Sequence, residues 1–183
     1  MNLSFKAMST LEVASAICSK LDSVGIKTTL SGGYCAEIYS CGEYTSMDID
    51  LINQYNDDHK KIVATMLALG FTHKGKDFYH DDIAYSIEFP CGPPAVGSQL
   101  IREVAEIVTE AGVLRLLRVT DCVKDRLCGF FHWDEMASLE QALLVSLAND
   151  IDIEDVRTWS INEGAEEKFN IFFQELERRK QKA

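Results

Sequence analysis

The chain has 183 residues, 46% hydrophobic and 26% charged, with a formal net charge of −11. That length fits one domain, or one domain with a helical extension, and the composition supports a packed core rather than a disordered chain. Acidity without a dense basic patch argues against duplex DNA as a partner, although Arg102, Arg115, Arg118, Lys124 and Arg126 make a local basic spot suited to a triphosphate or an RNA end.

In chain order, Ser9-Thr10-Leu11-Glu12 is a capping-box pattern that predicts a helix over 10–24, closed by Gly25. Val13, Ile17, Leu21 and Val24 form its core stripe. Residues 26–30 read as a strand that breaks at Gly32 and Gly33 and enters a short helix over 34–40. After the loop Cys41-Gly42-Glu43 comes a strand on which Asp48 and Asp50 alternate with Met47, Ile49 and Leu51. Asp57 or Asp58 caps a helix through Leu69 that turns Ile62, Val63, Met66 and Leu69 inward. Strands over 71–73 and 78–80 flank Lys74-Gly75-Lys76, and 83–89 alternates as a further strand carrying Glu88.

All three prolines, Pro90, Pro93 and Pro94, fall in the next few residues and mark the best internal seam. Residues 102–108 and 113–117 predict a hairpin around Glu110-Ala111-Gly112. Everything beyond Thr120 reads as helix. Thr120 or Asp121 opens a segment to Phe131, and Ser138-Leu139-Glu140-Gln141 is a capping box for a second segment through Ala148. Asp152 caps a third, containing Val156 and Trp159, and a fourth over 166–179 points Phe169, Phe172, Phe173 and Leu176 inward. The chain therefore divides into an α/β core over 1–118 and a helical part over 119–183 packed against it. Periodicity leaves open a homodimer through those helices.

Six cysteines without Cys-x-x-Cys spacing read as small buried hydrophobes in a reducing cytosol, and four scattered histidines form no ligand pattern. No export signal and no membrane-length apolar run is visible, so a cytoplasmic, soluble protein with no membrane partner is expected.

The chemistry concentrates in Ser31-Gly32-Gly33 and Ser46-Met47-Asp48-Ile49-Asp50. Glycines at a strand-to-helix turn allow close backbone approach, and a helix start offers unpaired N–H groups to an anion. Side chains two apart on a strand share a face, so Asp48 and Asp50 point the same way. Paired carboxylates repel unless a cation joins them, and Mg²⁺ (or Mn²⁺) with triphosphate oxygens completes such a site. The plainer alternatives are a solvated acid pair and a turn that needs glycine for sterics alone; the apolar strand around the acids counts against the first.

The glycine turn followed by Asp-Ile-Asp resembles the nucleotidyltransferase fold of the DNA polymerase β type. The resemblance implies an α+β fold, a mixed β-sheet with flanking helices followed by a helical C-terminal part. It implies metal ligation by Asp48, Asp50 and Glu88, the last standing where Asp is usual as the third carboxylate, acting as ligand or as general base. It implies NTP binding by Ser31, Gly32, Gly33 and Ser46, with Lys124, on the helix after the sheet, reaching phosphate through a cleft. Asp121-Cys122-Val123-Lys124-Asp125-Arg126-Leu127, then Phe131-His132-Trp133 and Trp159 to Phe169, is similar to bacterial nucleotidyltransferase-like proteins of the minimal and abortive-infection toxin-like kinds, over about 30–176. Where such proteins often carry an arginine shortly before Asp-x-Asp, this chain has Glu43-Tyr44-Thr45-Ser46-Met47.

The expected function is NMP transfer from an NTP to a hydroxyl acceptor: a small molecule such as an aminoglycoside, a protein or an RNA. The rivals are a toxin of a toxin–antitoxin pair and a non-catalytic nucleotide-binding or interaction module.

Overall fold

Alternation in the strands and apolar stripes on the helices resolve into an α+β fold. The structure, a computed structural model, describes residues 4–56 and 58–182. The Ser9 capping box is formed in both directions with Glu12 and opens α1 (Thr10–Asp22), whose Val13, Ile17 and Leu21 are buried. β1 (Thr28–Ser31) is buried throughout and runs directly into α2 (Gly32–Tyr39), which starts two residues before the expected helix. On β2 (Asp48–Asn53), Ile49 and Leu51 are buried while Asp48 is exposed and Asp50 partly so.

Asp58 caps α3 (His59–Ala68), its side chain accepting from the Lys60 N–H; Asp57, the other candidate cap, lies outside the described residues. β3 (Thr72–Lys74) and β4 (Asp77–Tyr79) form a hairpin about Gly75. β5 (Ser86–Glu88) is shorter than the expected 83–89, because its pairing to β2 and β4 involves only Ser86, Ile87 and Glu88.

The proline-rich seam is not a plain break. It leads into a small separate hairpin, β6 (Ala95–Val96) and β7 (Gln99–Leu100). The Trp159 indole N–H donates to the Val96 carbonyl at 3.1 Å, and the Ser98 N–H donates to Glu163 at 2.8 Å. β8 (Val104–Thr109) and β9 (Gly112–Leu117) make the expected hairpin. Among the described residues the main sheet has seven strands in the order β3-β4-β5-β2-β1-β9-β8, with β2–β5 and β1–β9 parallel and the other pairs antiparallel.

The chain then becomes helical: α4 (Val119–Trp133), α5 (Met136–Ala148), α6 (Ile153–Asn162) and α7 (Glu166–Lys180). α5 begins two residues before the expected capping box. Asp134 adopts the left-handed conformation (φ 56°) and turns the chain back at once, with Glu135 as the cap. Ser138 then lies inside the helix and its hydroxyl donates to the Glu135 carboxylate at 2.9 Å. α4 and α5 pack on α2, and α7 packs on α5 and α6 through Phe169, Phe172 and Leu176, all fully buried. No helix among the described residues is long and apolar enough to cross a membrane.

Sheet and helices share one apolar cluster, so Phe172→Ala should lower the stability of the whole chain by about 3–5 kcal/mol. Thermal unfolding followed by far- and near-ultraviolet circular dichroism should show one transition shifted down by roughly ten degrees in both signals.

Candidate functional site

Two strand pairings build the site. β1 lies antiparallel to β2 with Ser31 opposite Asp50, and β5 lies parallel to β2 with Glu88 opposite Asp50 and Ser86 opposite Asp48. Residues opposite one another share a sheet face, so Asp48, Asp50 and Glu88 stand on the same side. The start of α2 enters beside them. Gly32 has φ +70°, and a Cβ there would lie 2.2 Å from Asp50 Oδ2, so glycine is required on conformational and steric grounds alike.

The carboxylates are held in different ways. Ser46 donates its hydroxyl to Asp48 Oδ1 at 2.9 Å, while its own N–H donates to Glu37 at 2.6 Å. Glu88 Oε2 is paired with Lys76 Nζ at 2.7 Å; the lysine side chain is 71% exposed and comes from the β3–β4 turn. Burial first, then the charges of Asp48 and Glu88, push the Asp50 carboxyl up to about 6, against a weaker pull downward from Arg126.

The expected phosphate cradle is present in outline but packed against the protein's own groups. The Gly32 N–H donates to Asp125 Oδ2 at 3.2 Å. A Cβ on Gly33 would meet Ser46 Oγ at 2.6 Å. Ser31 is the residue before α2, buried, and makes no side-chain cap.

Lys124 is placed differently from the expectation, and the cleft-facing orientation is corrected. Its side chain is fully buried, donating to Asp155 Oδ2 at 2.7 Å and Gln99 Oε1 at 3.1 Å, with Asp121 Oδ1 at 3.9 Å. A buried ammonium needs such partners. The cation that α4 brings to the carboxylates is instead Arg126. It donates through Nε and Nη2 to Asp125 Oδ2 at 3.0 and 2.6 Å and through Nη1 to Gln141 Oε1 at 3.2 Å. Burial alone would lower its pKa, yet Asp125 beside it leaves it raised. Asp125 and Arg126 belong to the same charge run as Lys124. Nothing local in that run singles them out, because their partners, the Gly32 N–H and Gln141, come from other elements.

A cavity of about 370 Å³ opens beside this pair, lined in part by Gly97, Asp125, Arg126, His132, Trp133 and Glu135. Another, of about 660 Å³, lies by Gln99, Arg102, Arg118, Asp121 and Asp155, and the three sheet carboxylates are not part of its lining.

Among the described residues no three His, Cys, Asp or Glu side chains form a ready metal cage. The donor set still suits a hard divalent cation. Mg²⁺ commonly takes one or two carboxylates and completes its shell with water and substrate phosphate oxygens, and a cation here would offset the charges of Asp48 and Glu88 that add to burial in raising Asp50.

No family model matches the sequence, and no curated protein is significantly similar to it. Among solved structures, the chain resembles the crystal structure of an antigenic nucleotidyltransferase-like protein from Paracoccidioides brasiliensis. The TM-score is 0.54 and the identity 13%, over 74% of each chain. The solution structure of the antibiotic-resistance factor ANT(2'')-Ia matches with a TM-score of 0.49 and 16% identity, over 92% of this chain and 95% of that one. The crystal structure of ANT(2'')-Ia with adenylyl-2''-tobramycin matches at 0.46 and 14%, over 90% and 94%. At scores below 0.5 these two add no weight. The chain has an α+β, nucleotidyltransferase-like fold.

Asp50 gives a pH signature. Its carboxyl sits at about 6 in the fold against about 3.9 in an unfolded chain. The stability it contributes is therefore complete below about pH 4 and is lost as the pH rises through 6. In metal-free buffer, Asp50→Asn should melt with the wild type near pH 4 and above it from pH 7 upward, by at most about 3 kcal/mol. Thermal melts at unit pH steps read the difference directly.

Proposed function

We propose that the protein transfers a nucleoside monophosphate from an NTP to a hydroxyl acceptor, with a divalent cation held by Asp48 and Asp50. The observation that carries this reading is the register that sets Asp50 between Ser31 and Glu88, directly under the α2 N-terminus. An anion-binding helix start beside mutually repelling carboxylates suits a metal–triphosphate and little else. The nucleotidyltransferase-like fold supports it.

When bound, Mg²⁺ or Mn²⁺ would offset the charge of the phosphates and polarise the α-phosphate for attack. Asp48 and Asp50 would hold it, with Asp48 oriented by Ser46. Gly32 and Gly33 would present backbone N–H groups to the triphosphate, with Ser31 beside them. Glu88, freed from Lys76, would accept the proton of the acceptor hydroxyl as its oxygen bonds to the α-phosphorus and pyrophosphate departs. In this reading Lys124 holds α4 in place and does not touch phosphate. A net charge of −11 favours a small-molecule or protein acceptor over a polyanion.

The test is a thermal-shift panel of the four NTPs with Mg²⁺ or Mn²⁺ on the wild type and on Asp48→Asn/Asp50→Asn. A nucleotide at one hundred times its Kd should stabilise the wild type by about 2.7 kcal/mol, a shift of several degrees, and the double variant should show none. Label transfer from an α-³²P NTP to candidate acceptors then reads turnover. A well-folded wild type indifferent to every NTP would make the chain a non-catalytic interaction module.

A further inference from the structure

We infer that Asp125 is an internal anion occupying the phosphate-binding N–H of Gly32, and that an incoming triphosphate displaces it and takes over Arg126. This rests on the nucleotidyl-transfer reading and adds a residue pair to that site.

Three observations carry it. First, one carboxylate oxygen, Asp125 Oδ2, receives the Gly32 N–H (3.2 Å) and both Nε and Nη2 of Arg126 (3.0 and 2.6 Å). Donors at a helix start and a guanidinium fork are the groups that bind phosphate elsewhere, and here a carboxylate already uses them. Second, the position is fixed beside Asp50: a Cβ on Gly32 would lie 2.2 Å from Asp50 Oδ2. Gly32 thus touches Asp50 through its Cα side and holds Asp125 through its N–H, so an anion on that N–H is one residue away from a carboxylate assigned to the cation. Asp125 and a metal-bound phosphate would compete for one N–H.

Third, the Asp125–Arg126 contact is built to exchange. The two residues are neighbours on α4, and side chains at i and i+1 point away from each other around a helix. Arg126 meets Asp125 only by folding back. Its Nη1 is meanwhile anchored on Gln141 of α5 at 3.2 Å, which fixes the far end of the fork. The pair is also not sealed: the Arg126 and Asp125 side chains are 19% and 21% exposed. Swinging the carboxylate aside removes a negative charge from the field of Asp50 and leaves Arg126 free to pair with phosphate oxygens.

The sign of one substitution separates this from a plain supporting role. If Asp125 competes with phosphate, Asp125→Ala and Asp125→Asn should each bind metal–NTP about tenfold more tightly than the wild type, the worth of one hydrogen bond to a charged group. Arg126→Ala should bind about tenfold more weakly. Arg126→Lys should recover only part of that loss, since a point charge does not reproduce a fork. Titration calorimetry of the full-length variants with the NTP that gives the largest thermal shift, and with inorganic tripolyphosphate plus Mg²⁺, reads these constants. Near-ultraviolet circular dichroism confirms that each variant is folded. Weaker or unchanged binding in both Asp125 variants, with wild-type binding that Asp48→Asn/Asp50→Asn abolishes, would overturn the displacement and leave the transfer reading intact. No binding in any protein, Asp125→Ala included, would end both.

Discussion

No side chain fits on Gly32 while Asp50 keeps its place, and most of the site follows from that contact. The carboxylate lies where a Cβ would be, and the backbone at Gly32 is in the left-handed region. This close approach exists because Ser31 pairs with Asp50 at the very end of β1, so α2 must leave the sheet directly over the acid. The central position of β1 and β2 then adds Glu88 from the parallel neighbour β5 on one side. On the other side β9 hands the chain to α4, which carries Asp125 to the same spot. A helix start, three sheet carboxylates and a fourth from a helix meet because one glycine lets them.

That concentration of negative charge is only partly offset. Lys76 reaches Glu88 from the β3–β4 hairpin turn, and Arg126 reaches Asp125 from within α4. Each of these cations is already paired with an acid of its own. Asp48 and Asp50 have no such cation among the described residues, and burial first, then the charges of Asp48 and Glu88, keep the Asp50 carboxyl raised. A sequence selected for stability alone would hardly put these acids together on an otherwise apolar strand. Local conflict of this kind belongs to sites that await a ligand.

Much of this was legible in the sequence because it rests on short-range periodicity. The period of two fixed the common face of Asp48 and Asp50, and the glycine pair marked the turn before them. Most helices followed from caps and apolar stripes, as at Ser9, Asp58 and Asp152. What escaped depends on partners far along the chain. The hairpin of β6 and β7 has strands of two residues, too short for any pattern, and is held by Trp159 and Glu163 some sixty residues away. Ser138 looks like a cap in isolation, but the turn at Asp134 had already started the helix. The pairing of Glu88 with Lys76, and of the Gly32 N–H with Asp125, is tertiary and leaves no trace in local composition.

Lys124 shows the limit most clearly, and also what its burial does. On a helix, successive residues are about 100° apart, so the direction of Lys124 dictates that of Asp125. The stripe Val123, Leu127 and Phe130 identifies the buried face but cannot tell whether a lysine at its margin turns toward solvent or toward a partner. Asp155 on α6 and Gln99 on β7 decide the matter by enclosing the ammonium. Rotating α4 would strip a buried charge of its partners, at a cost of about 3–5 kcal/mol when such a pair is broken. The lysine thereby fixes the azimuth of the helix, and with it the aim of Asp125 at the α2 N-terminus. A residue whose type suggested a phosphate ligand is thus a buried anchor about 100° around α4 from Asp125.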